Sequence, residues 1–195
     1  AGDQTAASLG AGVVDPGQAF DSAGTASVFA MCVDSFTPDV THRTLMATHS
    51  VIPGVFIALA FINGGGLALR WFRDQVAVEG AGDPDAYARL DRLAGEVEPG
   101  SAGLLWLPHF QGRVLPPQPA VRGGWLGLTS GHRHGHLFRA ILEGIAYEYA
   151  AWARLAGGQR GAELHEARVL GGGARSRLWN QIKADVLGID WVPTV

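Results

Sequence analysis

Three glycine-rich segments constrain what this chain can fold into more than any other feature of its sequence. They are SAGTAS at 22–27, NGGGLAL at 63–69 and LGGGARS at 170–176. Each follows or joins an apolar run, and the last two lead into a helical pattern. Glycine lets backbone N–H groups approach an anion, and a helix N-terminus adds a partial positive charge, so such loops suit phosphate groups. The alternative for each loop is a strand-to-helix turn that requires a positive φ.

The apolar segments beside these loops predict strands. Residues 19–33 are typical of two strands joined by a tight turn at Gly24. Residues 55–62 form a continuous apolar run that favours a strand buried on both faces. Shorter strands are expected in the Pro- and Gly-rich region 99–128, at GLLWLP and GWLGLT. Because strands alternate with helical patterns, the fold class is α/β.

Helical periodicity appears in four further segments. One follows the second glycine loop, one is GDPDAYARLDRLAGEV with Asp83 as a predicted N-cap, and one follows the third glycine loop. The clearest runs from about 134 to 156 and is expected to end at Gly157–Gly158. Six apolar residues line one face of this helix: Phe138, Ile141, Leu142, Ile145, Tyr149 and Trp152.

Composition excludes several classes of protein. Apolar residues make up 47% and charged residues 17%, which is typical of a globular domain, and the net charge of −3 without a basic run argues against nucleic acid as a partner. The single cysteine, Cys32, cannot form an internal disulfide, so a cytoplasmic setting is expected. The apolar stretch 51–69 is interrupted by Pro53 and by glycines, so we predict no membrane span.

One carboxylate stands out in AGDQTAASLGAG, at the start of the sequence: Asp3. Phosphoryl transfer requires a positioned donor, Mg²⁺ to neutralise charge, and a group that accepts the proton of the attacking hydroxyl. Asp3 could accept that proton beside a nucleotide held between the glycine loops, where Thr25 and Ser176 add hydroxyl groups. The alternative is that Asp3 caps a helix beginning at Gln4.

The sequence leaves open the roles of three histidines and of one glutamate. His132, His134 and His136 alternate, but they lead into a helix and have no nearby cysteine or acidic residue, so loop contacts are favoured over a metal site and no metal ligand is predicted. Glu143 lies inside the long helix, where it either orients a loop or faces solvent.

These pieces, in this order, resemble the C-terminal domain of the FGGY carbohydrate kinases, most closely the xylulokinase-like members. AGDQTAASLGAG resembles the family's GGD-x-x-A-x-x-x-G segment, and SAGTAS resembles its S-x-G-T-S loop. GGGLALRWFRD, GWLGLTSGHRHGHLFRAILEG and GGGARSRLWNQIKADVLG are similar to the glycine-then-WLRD segment, the family signature and the adenosine-binding motif. The family's G-E-R-x-P stretch differs here: QGRVLPPQP lacks the Glu after Gly112, and Ala26 replaces a common Ser.

The resemblance implies a ribonuclease H-like, actin-type ATPase domain, in which a mixed sheet is flanked by helices. It implies ATP and Mg²⁺ as cofactors and Asp3 as the base that deprotonates a sugar hydroxyl. It also implies three groups of nucleotide contacts. These are Gly24 and Thr25 near the phosphates, Gly65 and Gly66 on a second phosphate-side loop, and Gly172, Gly173, Ala174, Arg175 and Ser176 on the adenosine side.

The same resemblance implies that residues 1–195 are the ATP-binding half of a longer kinase, without its N-terminal sugar-binding domain and its last helix. The expected reaction moves the γ-phosphoryl of MgATP to a hydroxyl of a ketopentose such as D-xylulose, and the isolated half is expected to be inactive. Glycerol or another polyol stays open as the acceptor. So does a non-catalytic, actin-like nucleotide-binding module, although the presence of Asp3 argues against it. Besides the sugar and ATP, a second copy of the chain in a homodimer is considered as a partner.

Overall fold

The computed structural model of the chain describes residues 2–77, 82–160 and 163–194. Its strands are β1 (Gln18–Ala23), β2 (Ser27–Val33), β3 (Met46–His49), β4 (Phe56–Ile62), β5 (Leu105–Leu107), β6 (Gly124–Leu126), β7 (Glu166–Leu170) and β8 (Asp190–Pro193). Its α-helices are α1 (Asp3–Gly10), α2 (Gly65–Trp71), α3 (Ala86–Gly95), α4 (His134–Arg160) and α5 (Arg177–Leu187). A π-helical turn, Phe72–Val76, continues α2.

Six strands form one mixed sheet in the order β3-β4-β2-β1-β7-β8. Strands β1, β2, β4 and β3 pair antiparallel, whereas β7 pairs parallel to β1 and β8 parallel to β7. A parallel partner cannot follow from a tight turn, and the crossover from β4 to β7 contains α2, α3 and α4. The α/β prediction is confirmed, with a mixed sheet flanked by helices.

Both faces of the sheet are covered. Every residue of β2 is buried, because successive side chains point to opposite faces and each face carries helices. Phe29 and Met31 belong to a large apolar cluster with α4 and α5, whereas Ala30 and Cys32 belong to a smaller cluster beside α1. The buried face predicted for α4 is confirmed, since its six apolar residues are all at most 4% exposed.

Several boundaries differ from the predicted ones. The expected end of α4 at Gly157–Gly158 is wrong, because the helix continues through both glycines to Arg160. Helix α3 begins at Ala86 rather than after Asp83, because the backbone of Asp85 is not helical (φ −94°, ψ 2°); Asp83 instead accepts a hydrogen bond from Asp85 N in the turn that precedes the helix. Strands β3 and β8 had no clear signal, since both are four-residue strands at the sheet edges.

The apolar stretch at 51–69 contains the whole of β4 and the first five residues of α2. No helix in the described ranges has both the length and the apolar character needed to cross a membrane.

Candidate functional site

The second glycine segment lies directly against the turn between β1 and β2. A Cβ added at Gly66 would collide with the carbonyl oxygen of Gly24. The backbone N–H of Leu67 donates to the carbonyl of Thr25 over 3.1 Å. The first turn of α2 therefore packs on the β1–β2 turn at a distance that a side chain would not allow.

The third glycine segment packs against the same turn from the other side. Because β1 and β7 are parallel and in register, with Ser22 opposite Leu170, both end at the same edge of the sheet. Gly171 has a φ of 86°, and a Cβ there would lie 3.0 Å from the carbonyl oxygen of Ala23. A Cβ at Gly173 would lie 2.5 Å from Ala23 Cβ. The fold thus brings all three predicted loops together at one edge.

The predicted nucleotide contacts differ in how much of each residue faces solvent. Gly24, Thr25, Gly172 and Arg175 are exposed, whereas Gly65 is buried. A Cβ at Gly65 would collide with the Ser27 hydroxyl, so this glycine is required for packing beneath the edge. The backbone of the exposed glycines Gly24 and Gly172 is accessible from solvent.

The hydroxyl of Ser176 already has partners. It accepts a hydrogen bond from Trp179 N over 3.1 Å, which makes Ser176 the N-cap of α5, and it hydrogen-bonds the carboxyl of Asp91. Burial raises the pKa of Asp91, and the hydrogen bond from Ser176 lowers it in part. The neighbouring carbonyl of Ala174 accepts from Asn180 Nδ2 over 2.9 Å. These bonds fix the 172–176 loop on α5.

Asp3 is the first residue of α1, with Gly2 as N-cap, so α1 begins one residue earlier than the alternative interpretation had it. Its side chain is exposed, and Asp3 Oδ1 accepts from Gln4 N over 2.8 Å. In the described part of the chain, no hydrogen bond or ion pair joins Asp3 to the glycine loops. The carboxylate of Asp3 is therefore accessible to solvent.

The position of α1 is set by an arginine of β7. Arg168 Nη1 donates to the carbonyls of Ala11 and Gly12 over 2.9 and 3.1 Å, and its Nε contacts Glu166 over 2.6 Å. Gly12 has a φ of 72°, and a Cβ there would collide with that guanidinium. The C-terminal end of α1 is therefore tied to the strand whose other end opens the third glycine loop.

A buried polar cluster lies beneath the three loops, and the sequence did not point to it. Asp21 of β1, Tyr149 of α4 and Lys183 of α5 are all 0% exposed. Tyr149 donates to Asp21 Oδ1 over 2.8 Å, and Lys183 Nζ contacts Asp21 Oδ2. Burial lowers the pKa of Lys183, an effect that the charge of Asp21 opposes, and burial raises the pKa of Tyr149. One available signal was that Lys183 is the single lysine of the chain.

Glu143 orients a loop, which answers the question that its position in the long helix left open. It is buried, and its carboxylate accepts from Gly100 N over 3.0 Å and from the Ser101 hydroxyl over 3.1 Å. Arg139 Nε pairs with it over 2.6 Å. Ser101 and Ala102 have φ values of 48° and 54°, which are uncommon for residues other than glycine, so Glu143 holds a strained turn.

Of the three histidines, His132 lies just before α4, and His134 and His136 lie in its first turn. His132 Nδ1 accepts from Thr129 N over 2.9 Å, and His136 Nδ1 accepts from Arg133 N over 3.3 Å. The His134 ring meets Phe72 edge-on. Over residues 2–77, 82–160 and 163–194, no group of three or more His, Cys, Asp or Glu side chains is arranged to hold a metal ion.

Known proteins are similar to this chain in sequence and in fold. Residues 19–194 match the sequence model of the C-terminal domain of the FGGY family of carbohydrate kinases, a range that leaves Asp3 outside. The chain is 34% identical to the gluconokinase of Bacillus subtilis, over 95% of the chain and 37% of that protein. It therefore spans well under half the length of this relative.

Solved structures agree with the sequence match. The xylulose kinase of Rhodospirillum rubrum has a TM-score of 0.85 and 32% identity, covering 100% of this chain and 38% of that one. Plasmodium falciparum glycerol kinase, solved with ADP, has a TM-score of 0.81 at 21% identity, covering 98% of this chain and 38% of that one, and shows the shared fold. The chain therefore belongs to the FGGY family of carbohydrate kinases, as a C-terminal domain with the ribonuclease H-like, actin-like ATPase fold.

Proposed function

We propose that this chain is the nucleotide-binding part of an ATP-dependent carbohydrate kinase. The observation that carries the proposal is the meeting of three glycine segments at one sheet edge, where Gly24 and Gly172 are exposed and Gly66 and Gly173 pack without room for a Cβ. Open backbone at a strand end next to helix N-termini is suited to phosphate oxygens. Relatives named as gluconokinase, xylulose kinase and glycerol kinase support a phosphotransferase.

The nucleotide contacts follow the three loops. Gly24 and Thr25 would meet the phosphates, with Gly65 and Gly66 behind them. The 172–176 loop would meet the adenosine side, since it is fixed on α5 by the Ser176 cap. Mg²⁺ would be held largely by the phosphates of ATP and would neutralise their charge, because Mg²⁺ typically takes few protein ligands.

Asp3 would act as the general base. In the proposed step the acceptor hydroxyl gives its proton to the Asp3 carboxylate while its oxygen attacks the γ-phosphorus, and ADP leaves with the electrons of the broken P–O bond. An exposed carboxylate at the N-terminus of a helix is available for this task. We expect Asp3→Asn in the natural full-length protein to lower kcat by about 10²- to 10⁴-fold with little change in KM for ATP.

The acceptor is proposed to be a ketopentose such as D-xylulose, supported by the xylulose kinases among the similar structures. Initial rates of ADP formation with D-xylulose, gluconate and glycerol would rank the three candidates. A kcat/KM for gluconate or glycerol above that for D-xylulose would replace the acceptor and leave the kinase proposal standing.

The nucleotide site is tested by calorimetric titration of this chain with MgATP. Gly172→Asp places a charged side chain at an exposed loop position where a Cβ has no atom within 4 Å, so the fold is preserved while the side chain enters the space proposed for the adenosine side of the nucleotide. Gly10→Asp is the matched control, because its Cβ site is equally open and lies at the end of α1. We expect the unchanged chain to bind MgATP saturably, Gly172→Asp to abolish this binding and Gly10→Asp to retain it. Equal binding by all three proteins would overturn the proposed site.

A further inference from the structure

The ion pair of Asp21 and Lys183 connects the two elements that carry the proposed nucleotide loops. Asp21 lies on β1, two residues before Ala23, and Lys183 lies on α5, one turn beyond Trp179. Both carboxylate oxygens of Asp21 are used, one by Lys183 and one by Tyr149 of α4. A charged group with no exposure is costly to bury, so each member depends on the others.

Aromatic rings enclose the ammonium group of Lys183. Its Nζ lies 3.5 Å from the ring centre of Trp179 and 5.5 Å from those of Tyr149 and Trp191. Trp179 Nε1 donates to the carbonyl of Leu142 over 3.2 Å, which fixes the indole on α4. The position of the ammonium group is therefore defined by directional contacts from three sides.

The same residues contact the loops above. The ring of Trp179 lies 2.7 Å from where a Cβ of Gly173 would be, and Trp179 N donates to the cap residue Ser176. On β1, the residue Ala23 packs against both Gly171 and Gly173. Lys183 therefore contacts Trp179, which in turn packs against the third loop. Asp21 lies on β1, the strand that leads directly into the β1–β2 turn.

We propose that Asp21, Lys183 and Tyr149 are positioning residues that hold the β1–β2 turn and the 171–176 loop at the separation that bound nucleotide requires. This inference rests on the proposed function. Hydrogen bonds and a charge pair have fixed directions and lengths, whereas apolar contacts permit sliding, so the buried cluster defines the register of β1 against α5. Binding then starts from preorganised loops and loses less entropy.

The test replaces the whole cluster by apolar residues of similar shape, in the triple variant Asp21→Leu, Tyr149→Phe, Lys183→Met. Replacing a buried ion pair in this way commonly preserves stability, so the melting temperature is expected to stay close to that of the unchanged chain. The Kd for MgATP is nevertheless expected to rise about tenfold, because the loops are no longer preorganised. Tyr149→Phe alone, which keeps the ion pair, is expected to have a smaller effect in the same direction.

A control separates positioning from stability. Ile57→Ala on β4 creates a cavity in the small cluster on the opposite face, lowers the melting temperature by several degrees and should leave the Kd for MgATP unchanged below that temperature. Amide hydrogen exchange without nucleotide gives a second measurement. The N–H groups of Gly24, Ala174 and Ser176 are bonded within the two loops, and they should exchange faster in the triple variant but not in Ile57→Ala.

An unchanged Kd together with unchanged exchange in the triple variant would show that the cluster only stabilises the fold, and the inference would be wrong. If the unchanged chain fails to bind MgATP, the proposed function fails. Exchange of the loop amides then still decides whether the cluster positions the loops.

Discussion

The two faces of the six-stranded sheet use charged residues in opposite ways. On the face covered by α4 and α5, Asp21 and Lys183 are removed completely from solvent and satisfy each other. On the face covered by α1, Arg168 is partly exposed and bonds to backbone carbonyls, and Asp3 is exposed. Both faces border the edge of the sheet at which β1 and β7 end and the glycine loops meet.

The difference follows from the size of the two apolar clusters. The α4–α5 face has a large cluster that includes Phe29, Tyr149 and Trp179. The free energy gained by burying these side chains offsets the desolvation of a buried ion pair. The α1 face has a small cluster around Phe20 and Cys32, and its helix has eight residues. A short helix on a small cluster gains little from burial, so it is held in addition by a partly exposed arginine, and Asp3 in its first turn is exposed.

The largest effect is expected from breaking the buried pair on one side. Lys183→Met leaves the Asp21 carboxylate buried with Tyr149 as its remaining partner, which should lower the free energy of unfolding by about 3–5 kcal/mol. Urea denaturation measures the loss, and the triple apolar variant should recover most of it. A loss below about 1 kcal/mol would mean that the carboxylate finds water or takes up a proton at little cost.

The second effect concerns pH on the α1 face. Burial, with a smaller contribution from the charge of Asp15, raises the pKa of Cys32 to about 11 from its usual 9.0. The folded thiol keeps its proton where the unfolded thiol loses it, so the stability that Cys32 contributes is complete below pH 9 and is lost as the pH rises to about 11. The loss should be about 2 kcal/mol.

This pH effect is isolated by comparing the chain with Cys32→Ala in urea denaturation from pH 8 to 11. The variant is less stable at pH 8 because of the smaller side chain, but its curve should be flatter over this range. Parallel curves would contradict the assignment to Cys32.

The third effect tests how α1 is held. Arg168→Met removes two hydrogen bonds to the carbonyls of Ala11 and Gly12, which follow α1, but keeps an apolar stem of similar length. We expect a loss of about 1.5 kcal/mol in the free energy of unfolding, with faster hydrogen exchange in α1. The nearby Glu166→Gln is a control that leaves the bonds to Ala11 and Gly12 in place, and it should change both measurements little.

The smallest effect concerns the cap of α5. Ser176→Ala removes the acceptor for Trp179 N and should cost about 1 kcal/mol, whereas Ser176→Thr should restore most of it. Thermal denaturation of the two variants measures the difference. Equal melting temperatures for Ala and Thr at this position would show that another group caps the helix.

The sequence predicted most elements whose signal is local. The turn at Gly24, the buried run of β4 and the apolar face of α4 are all patterns of residues close together in the chain. The end of α4 was mispredicted because Gly157–Gly158 is a local stop signal, and helix propensity is a weak preference that other contacts override. The predicted roles of Asp3 and of the glycine loops remain predictions.

The buried cluster shows what local patterns miss. Asp21 stands in a strand beside a polar serine, Lys183 stands in an amphipathic helix, and 162 positions separate them. Each alone resembles an ordinary surface residue, since lysine and aspartate are almost never fully buried without a partner. Only the parallel pairing of β1 with β7 and the packing of α5 on the sheet bring the two charges together.

By itself, the sequence determined the α/β class, the positions of the glycine loops and the family, because these depend on short-range periodicity and on motifs. The tertiary structure decided that the three loops share one edge, that Arg168 holds α1 and that Asp21, Tyr149 and Lys183 lie beneath the loops. The physical reason is that burial and long-range pairing depend on which elements pack together, and no window of neighbouring residues contains that information.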